Sequence, residues 1–164
     1  NWLMGLGVWV MIEQKGSIAE VTFRDLYLWF CNFEFWNLLH NLHHIAIICS
    51  DYQKSKHFYT QILGLTIIRE VYRDERQSYK LDLALNGDYV IELFSFANPP
   101  KRVSRPEATG LRHLAFAVKD LDKAVSELAQ KGVSTEAVRV DEFTGKRFTF
   151  LQDPCALPIE LYVG

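Results

Sequence analysis

An α+β fold of two βαβββ modules forming an open, cupped mixed sheet is what three observations predict. The stretch LHHIAIICSDYQK at Leu42–Lys54 returns 69 positions later as LRHLAFAVKDLDK at Leu111–Lys123. The closing stretch VIELFSF at Val90–Phe96 returns as PIELYVG at Pro158–Gly164, which aligns Glu92 with Glu160. Between these landmarks both copies change hydrophobic period in the same order, from a strand-like run to helical spacing and back to alternation.

Each element has its own signal. Leu42–Cys49 is an apolar run rich in Ile and reads as a strand. Ser50 or Asp51 offers a helix cap, and Tyr52, Ser55, Phe58, Tyr59 and Ile62 follow at helical spacing until Gly64. Thr66–Tyr72, Lys80–Leu85 and Asp88–Phe96 alternate as strands, the last two joined by an Asn86-Gly87 hairpin turn. In the second copy Leu111–Val118 is the strand and Asp120 the cap. Leu121, Ala124, Val125 and Leu128 form the apolar stripe of a helix ending at Gly132. Strands are then predicted over Ser134–Val140, Lys146–Gln152 and Leu157–Val163. The modules span 42–96 and 111–163 within a domain of 38–164, and the proline-bearing segment 97–110 links them.

Residues 1–37 differ from the rest. All four tryptophans (Trp2, Trp9, Trp29 and Trp36) fall there, with Phe23, Phe30, Phe33 and Phe35. The apolar run Trp2–Ile12 falls well short of the ~20 residues that span a bilayer, and no Lys or Arg precedes it as in a secretory signal. The expectation is a poorly ordered extension or sequence upstream of a wrongly assigned start, with a membrane-surface or partner-binding arm as the alternative. The net charge of −2 and scattered basic residues leave no nucleic-acid footprint. The three cysteines, Cys31, Cys49 and Cys155, form no disulfide framework and suggest a cytoplasmic protein.

Strand alternation decides which side chains share a face. His44, Ala46 and Ile48 point one way, as do Glu92, Phe94 and Phe96; the second copy repeats this with His113, Ala115 and Ala117 and with Glu160 and Tyr162. The opposite, aliphatic faces would pack beneath the helices. His44, Glu92, His113 and Glu160 are therefore candidate metal ligands, since a buried ionised carboxylate needs a cation and a duplicated one needs it twice. The plainer alternative is that the carboxylates pair with local Arg or Lys. His43 falls on the other face, His57 on the first helix and His40 outside the repeat, so these three are read as structural or exposed. Two imidazoles and two carboxylates suit one divalent Zn, Ni, Co or Mn ion, with iron ranked after them, and are too nitrogenous for a dedicated Ca or Mg site. Such a centre can polarise a substrate C–H beside a carbonyl and stabilise an enediolate. A carboxylate that loosens from the ion can then act as the base; Glu160 is the first choice and Glu92 the second.

At these residues the chain resembles the vicinal oxygen chelate superfamily, the glyoxalase/bleomycin-resistance/dioxygenase fold, and within it the bacterial YaeR-like subgroup. The likeness covers about Leu38–Val163 and includes FYTQILG at Phe58–Gly64 and all four ligand positions. It implies a metal-dependent lyase or isomerase of the glyoxalase type acting on a small, oxygen-chelating, anionic substrate. Relatives often dimerise, so a homodimer is also expected; no membrane or nucleic-acid partner is. The alternatives are an Fe(II) dioxygenase, which a fourth ligand at Glu92 disfavours, and a binding module without turnover.

Two departures from the family pattern matter. Glutathione-using glyoxalases carry Arg and Asn where this chain has Ile48 and Phe96, an apolar pair that cannot satisfy a γ-glutamyl end. The turn before the last strand reads Asp153-Pro154-Cys155-Ala156, with Ala where the family's Gly favours a positive φ. Arg73, Arg76, Lys80, Arg105, Lys146 and Arg147 are the basic residues available to an anionic substrate; of these Arg76, Lys80 and Arg147, with Phe94, Phe96 and Phe148, are the candidate substrate-binding residues.

Overall fold

Asp51 and Asp120 start the two helices in the same way, each side chain accepting the backbone N–H three residues on, from Lys54 and from Lys123. The computed structural model describes residues 38–164; the extension expected over 1–37 lies outside the described residues. His43–Gly164 is one compact unit, and residues 38–42 carry no regular secondary structure.

The first module runs β1 (Ile45–Cys49), α1 (Tyr52–His57), β2 (Thr66–Arg73), β3 (Ser78–Leu85) and β4 (Asp88–Ser95). The second runs β5 (Leu114–Val118), α2 (Leu121–Gln130), β6 (Arg139–Val140), β7 (Arg147–Gln152) and β8 (Pro158–Val163). Each module closes its own four-stranded mixed sheet, ordered β1-β4-β3-β2 and β5-β8-β7-β6, so the repeat in sequence is a repeat in topology. In both, the first strand runs parallel to the last and the others are antiparallel.

The helix-side faces of both sheets share one core. Ile47, Cys49, Leu81, Leu83, Ile91 and Leu93 from the first module join Leu114, Leu151, Ile159 and Leu161 from the second, with Tyr52, Phe58, Tyr59, Leu121 and Leu128 from the helices. Burial of these side chains is the main favourable term in folding. Polar ties cross the same boundary. The buried Tyr59 hydroxyl donates to Asp153 Oδ2 at 3.0 Å, and the Lys131 ammonium caps the carbonyls of Gln61 and Ile62 at 3.0 and 2.9 Å.

Three elements depart from the sequence expectation. The first helix does not stay α-helical to Gly64; from Phe58 to Ile62 it widens into a π-turn. There the Thr60 hydroxyl bonds back to the Lys56 carbonyl at 2.7 Å, and the wider turn lets the consecutive Phe58 and Tyr59 both be buried. The strand expected over Ser134–Val140 shrinks to Arg139–Val140, because the buried Thr149 hydroxyl and the Phe150 carbonyl hold Glu136 instead of a ladder. Both site histidines lie in the extended residue just before their strands rather than within them.

The turn Asp153–Ala156 keeps its form despite its altered sequence. Ala156 sits at φ 64°, where a Cβ is crowded. Asp153 holds the turn closed, its Oδ1 accepting from the backbone N–H of Cys155 and of Leu157 at 2.8 Å each. Ala156→Gly should therefore raise the unfolding free energy by about 1 kcal/mol, read as a shifted denaturant midpoint with an unchanged slope; a loss of stability would show that the position carries no strain.

Candidate metal centre

Register lays the candidate residues out in rows across the helix-free face of each sheet. In the first sheet Ala46, Glu92, Asp82 and Arg69 form one row, and Ile48, Phe94, Lys80 and Val71 the next. The second sheet repeats these rows as Ala115, Glu160 and Phe150, then Ala117, Tyr162, Phe148 and Arg139. The two modules thus carry the same His and Glu in the same frame but different neighbours: Asp82 and Lys80 stand where the second copy has Phe150 and Phe148.

In the first module His44 Nε2 lies 3.4 Å from Glu92 Oε2. The other His44 nitrogen meets His43, Nδ1 to Nδ1, at 2.8 Å. If Nε2 keeps its lone pair for a cation, His44 Nδ1 carries the proton and donates to His43. Alternation had set His43 aside, but parity fails two residues outside the strand and His43 becomes the orienting partner. Tyr89 stacks on His44 with centroids 5.0 Å apart, and its hydroxyl donates to Asp82 Oδ1 at 3.0 Å.

Glu92 Oε1 is engaged by Lys80 Nζ at 2.5 Å, and the same ammonium reaches Asp82 Oδ1 at 3.0 Å. Arg69 closes the group with two bonds to Asp82 Oδ2, at 2.9 and 2.7 Å. Burial pushes the Glu92 carboxyl up, but the Lys80 ammonium together with Tyr89 and His44 holds it below its ordinary range. Asp82, 2 % exposed, is likewise pushed up by burial and pulled below its ordinary value by Lys80, Arg69 and Tyr89. Contact with Glu92 above all, and with Asp82, raises Lys80. Glu92 thus meets the plainer reading of a carboxylate paired with a local lysine; Glu160 has no such partner among the described residues.

In the second module His113 Nε2 lies 3.2 Å from Glu160 Oε2, and His113 Nδ1 is buried with no hydrogen-bond partner. Phe150 packs edge-on against the imidazole, centroids 5.3 Å apart. A cavity of about 160 Å³ beside His113 is lined by Arg105, Arg112 and Arg139 among others.

Both pairs fit a divalent ion chemically. Donors each about 2.0–2.2 Å from one ion and roughly 90–110° apart are about 3.0–3.5 Å from each other, which is the spacing of both His–Glu pairs. The unpartnered His113 atom is Nδ1, on the far side of the ring from the Nε2 that faces Glu160, so it bears on how the ring is oriented and not on the ion. The four residues do not converge within the chain, however. Among the described residues no three His, Cys, Asp or Glu side chains come together as a metal-binding group. The two His–Glu pairs stand as separate half-sites, one on each sheet.

The other candidates divide by face. Lys80, Phe94, Phe96 and Phe148 line the open faces, with Phe94 and Phe96 stacked at 6.0 Å. Arg147 does not. It alternates with Phe148, shares the side of the buried Thr149 and Leu151, and makes two 2.8 Å bonds to Asp122 at the start of α2. Arg76 sits in the exposed turn between β2 and β3, outside the site rows. Sequence reading missed Asp82, Tyr89 and Arg69; an aspartate between Leu81 and Leu83 in a strand was the available signal.

Comparison with known proteins agrees with this architecture. The profile of the Glyoxalase/Bleomycin resistance protein/Dioxygenase superfamily matches residues 41–161. The uncharacterized protein YwkD of Bacillus subtilis is 67% identical over 125 residues, covering 76% of this chain and 98% of its own length. The uncharacterized protein YaeR of Escherichia coli is 62% identical over 124 residues, covering 76% and 96%. The crystal structure of a glyoxalase family protein from Enterococcus faecalis, 45% identical, superposes with a TM-score of 0.71 over 76% of this chain and 98% of its own.

The Glu92 ion pair has a pH signature. Its folded pKa is depressed below 4.5, so its stabilisation is present above the ordinary carboxylate range and is lost as pH falls through the folded value. Glu92→Gln should cost about 2 kcal/mol at neutral pH and progressively less below about pH 4. Denaturation across that range checks it; a deficit that does not vary with pH would show that the pair contributes no charge-dependent stability.

Proposed function

Because this chain belongs to the Glyoxalase/Bleomycin resistance protein/Dioxygenase superfamily, we propose that it is a divalent-metal-dependent lyase or isomerase of the glyoxalase I type, with each centre assembled from two copies. His44 and Glu92 of one copy and His113 and Glu160 of the other would hold the ion. The observation that carries this is the pair of His–Glu contacts at equivalent positions, both at co-ligand spacing and both on helix-free faces.

A second copy is invoked because one chain keeps the two half-sites apart. The strands entered from His44 and His113, β1 and β5, are sheet edges among the described residues, and neither contains a charged residue or a proline. Such edges invite pairing with another strand. Ile48 and Val71 also stand exposed on the first open face at 54% and 41%, an apolar surface that a second module would cover. By two-fold symmetry the same contact would form twice and yield two identical centres.

Bound there, a divalent ion supplies Lewis acidity to two adjacent substrate oxygens and so eases removal of a proton from the carbon between them. The protein's own groups divide the remaining work. Glu160 has one oxygen facing His113 and no cationic partner among the described residues, so it can turn and accept the proton. Glu92 is pinned between His44 and Lys80 and suits a fixed ligand. Phe94, Phe148, Phe150 and Tyr162 exclude water around the reacting carbon. A glutathione hemithioacetal is a poor fit, because Ile48 and Phe96 offer its γ-glutamyl end no hydrogen bond.

Elemental analysis should find about one Zn, Ni, Co or Mn per chain; iron would instead favour oxygen chemistry. His113→Ala should strip the metal and leave the circular dichroism spectrum unchanged. The two-copy arrangement is tested by doubly tagged hybrids of His44→Ala/Glu92→Gln chains with His113→Ala/Glu160→Gln chains. Neither variant alone should hold metal, whereas the hybrid dimer should regain one intact centre. A hybrid that stays metal-free would place all four ligands within one chain. The unaltered protein should not turn over the methylglyoxal–glutathione hemithioacetal, and efficient turnover would overturn the substrate argument.

A further inference from the structure

The basic residues of the open faces are mostly spoken for. Arg69 is bonded to Asp82, Lys80 to Asp82 and Glu92, and Arg139 to Glu136 at 2.9 Å. Arg73 differs. No carboxylate pairs with it among the described residues, and its guanidinium is nonetheless held in place. Nε and Nη2 both donate to the hydroxyl of the fully buried Ser78, at 3.1 and 2.7 Å. The guanidinium carbon lies over the Phe94 ring at 4.7 Å and the Phe96 ring at 5.7 Å.

From this geometry we infer that Arg73 is an anion-recognition residue that selects substrates carrying an oxyanion tail, a carboxylate, phosphonate or phosphate, beyond their metal-chelating end. The inference rests on the metal-centre reading for the chelating end alone; the arginine's own geometry carries the tail. Three features support it. A guanidinium stacked on aromatic faces is weakly hydrated and fixed in plane, which reduces what an incoming anion must displace or order. Ser78 neutralises no charge and occupies only the Nε–Nη2 edge, so the Nη1 side stays open for a charge-assisted bond. Position sets the length of the ligand: Phe94 lies one strand period, about 7 Å, beyond Glu92 on the same face. A chelating group at Glu92 and an oxyanion at Arg73 would therefore be joined by a short linker of a few carbons.

The same arrangement selects against zwitterionic tails. Arg73 brings positive charge to this wall, and Phe94, Phe96 and Ile48 offer an ammonium no acceptor. The subsite lies wholly within the first module, so it does not depend on which copy supplies His113 and Glu160. The second module offers only a looser counterpart, the Lys146 ammonium over the Tyr162 ring at 6.0 Å, with no buried hydroxyl among the described residues holding it in place. At the place of Val71 that module carries Arg139, stacked over Phe148 and Phe150 at 5.0 and 5.3 Å but already neutralised by Glu136.

Two binding measurements test this on the full chain. In metal-free protein, glutarate is titrated by NMR against unaltered protein, Arg73→Ala and Arg73→Lys. Saturable binding should be at least tenfold weaker in Arg73→Ala and partly kept in Arg73→Lys. In metal-loaded protein, 2-oxoglutarate is compared with 2-oxopentanoate, which has the same chelating end and no distal charge. The unaltered protein should prefer the diacid by about tenfold or more, and Arg73→Ala should lose that preference while keeping its metal content and its affinity for 2-oxopentanoate. Equal diacid preference in Arg73→Ala, or glutarate binding untouched by the substitution, overturns the inference. Glutarate binding that depends on Arg73 in a protein that takes up no metal upholds the subsite and defeats the metal-centre reading instead.

Discussion

A carboxylate that is 2 % exposed must be neutralised, and much of the first half-site follows from how Asp82 meets that demand. An unpaired charge at such a position would cost several kcal/mol. Asp82 draws in Arg69 from β2, Lys80 from its own strand and the Tyr89 hydroxyl from β4. Two of these partners then do something further. Lys80 extends to Glu92, and Tyr89 lays its ring against His44. The aspartate is hydrogen-bonded neither to an imidazole nor to Glu92, yet it holds the side chains that meet both.

Without that aspartate the second half-site is built on other forces. Aromatic rings replace the ions: Phe150 meets the His113 ring edge-on, and Phe148 stacks near Tyr162. The two pairs are equal in composition and unequal in freedom. One carboxylate sits in an ionic cage and the other against hydrocarbon, which is how one duplicated residue type can take the two roles of fixed ligand and proton carrier. Pairs of titratable groups in contrasting surroundings are a recurring device for assigning acid–base tasks.

Much of this was legible in the residues themselves. Repetition of His and Glu at matched offsets, read with strand alternation, placed each His with its own Glu, because period two holds inside a strand and carried to the single residue before it. It failed one residue further out. His43 lies two residues before β1, where its ring meets that of His44. Arg147 was grouped with the pocket as a basic residue available to an anionic substrate, whereas alternation sends it toward Asp122. The separation of the two pairs could not be read at all. Facing preferences within a sheet say nothing of how two sheets are set against each other, and that is decided by a core common to both modules.

That common core also governs which positions can drift apart after a duplication. On the helix side the two copies carry matched aliphatic residues, Leu83 with Leu151, Ile91 with Ile159 and Leu93 with Leu161, and all six lie in the one core that the modules share. A change of volume in one copy is felt by both. The open face has no such tether, and there Lys80 and Asp82 came to stand opposite Phe148 and Phe150. A gene that doubles and buries its two halves against each other inherits a division of labour: interior positions evolve as coupled pairs, and exterior ones are released to specialise separately.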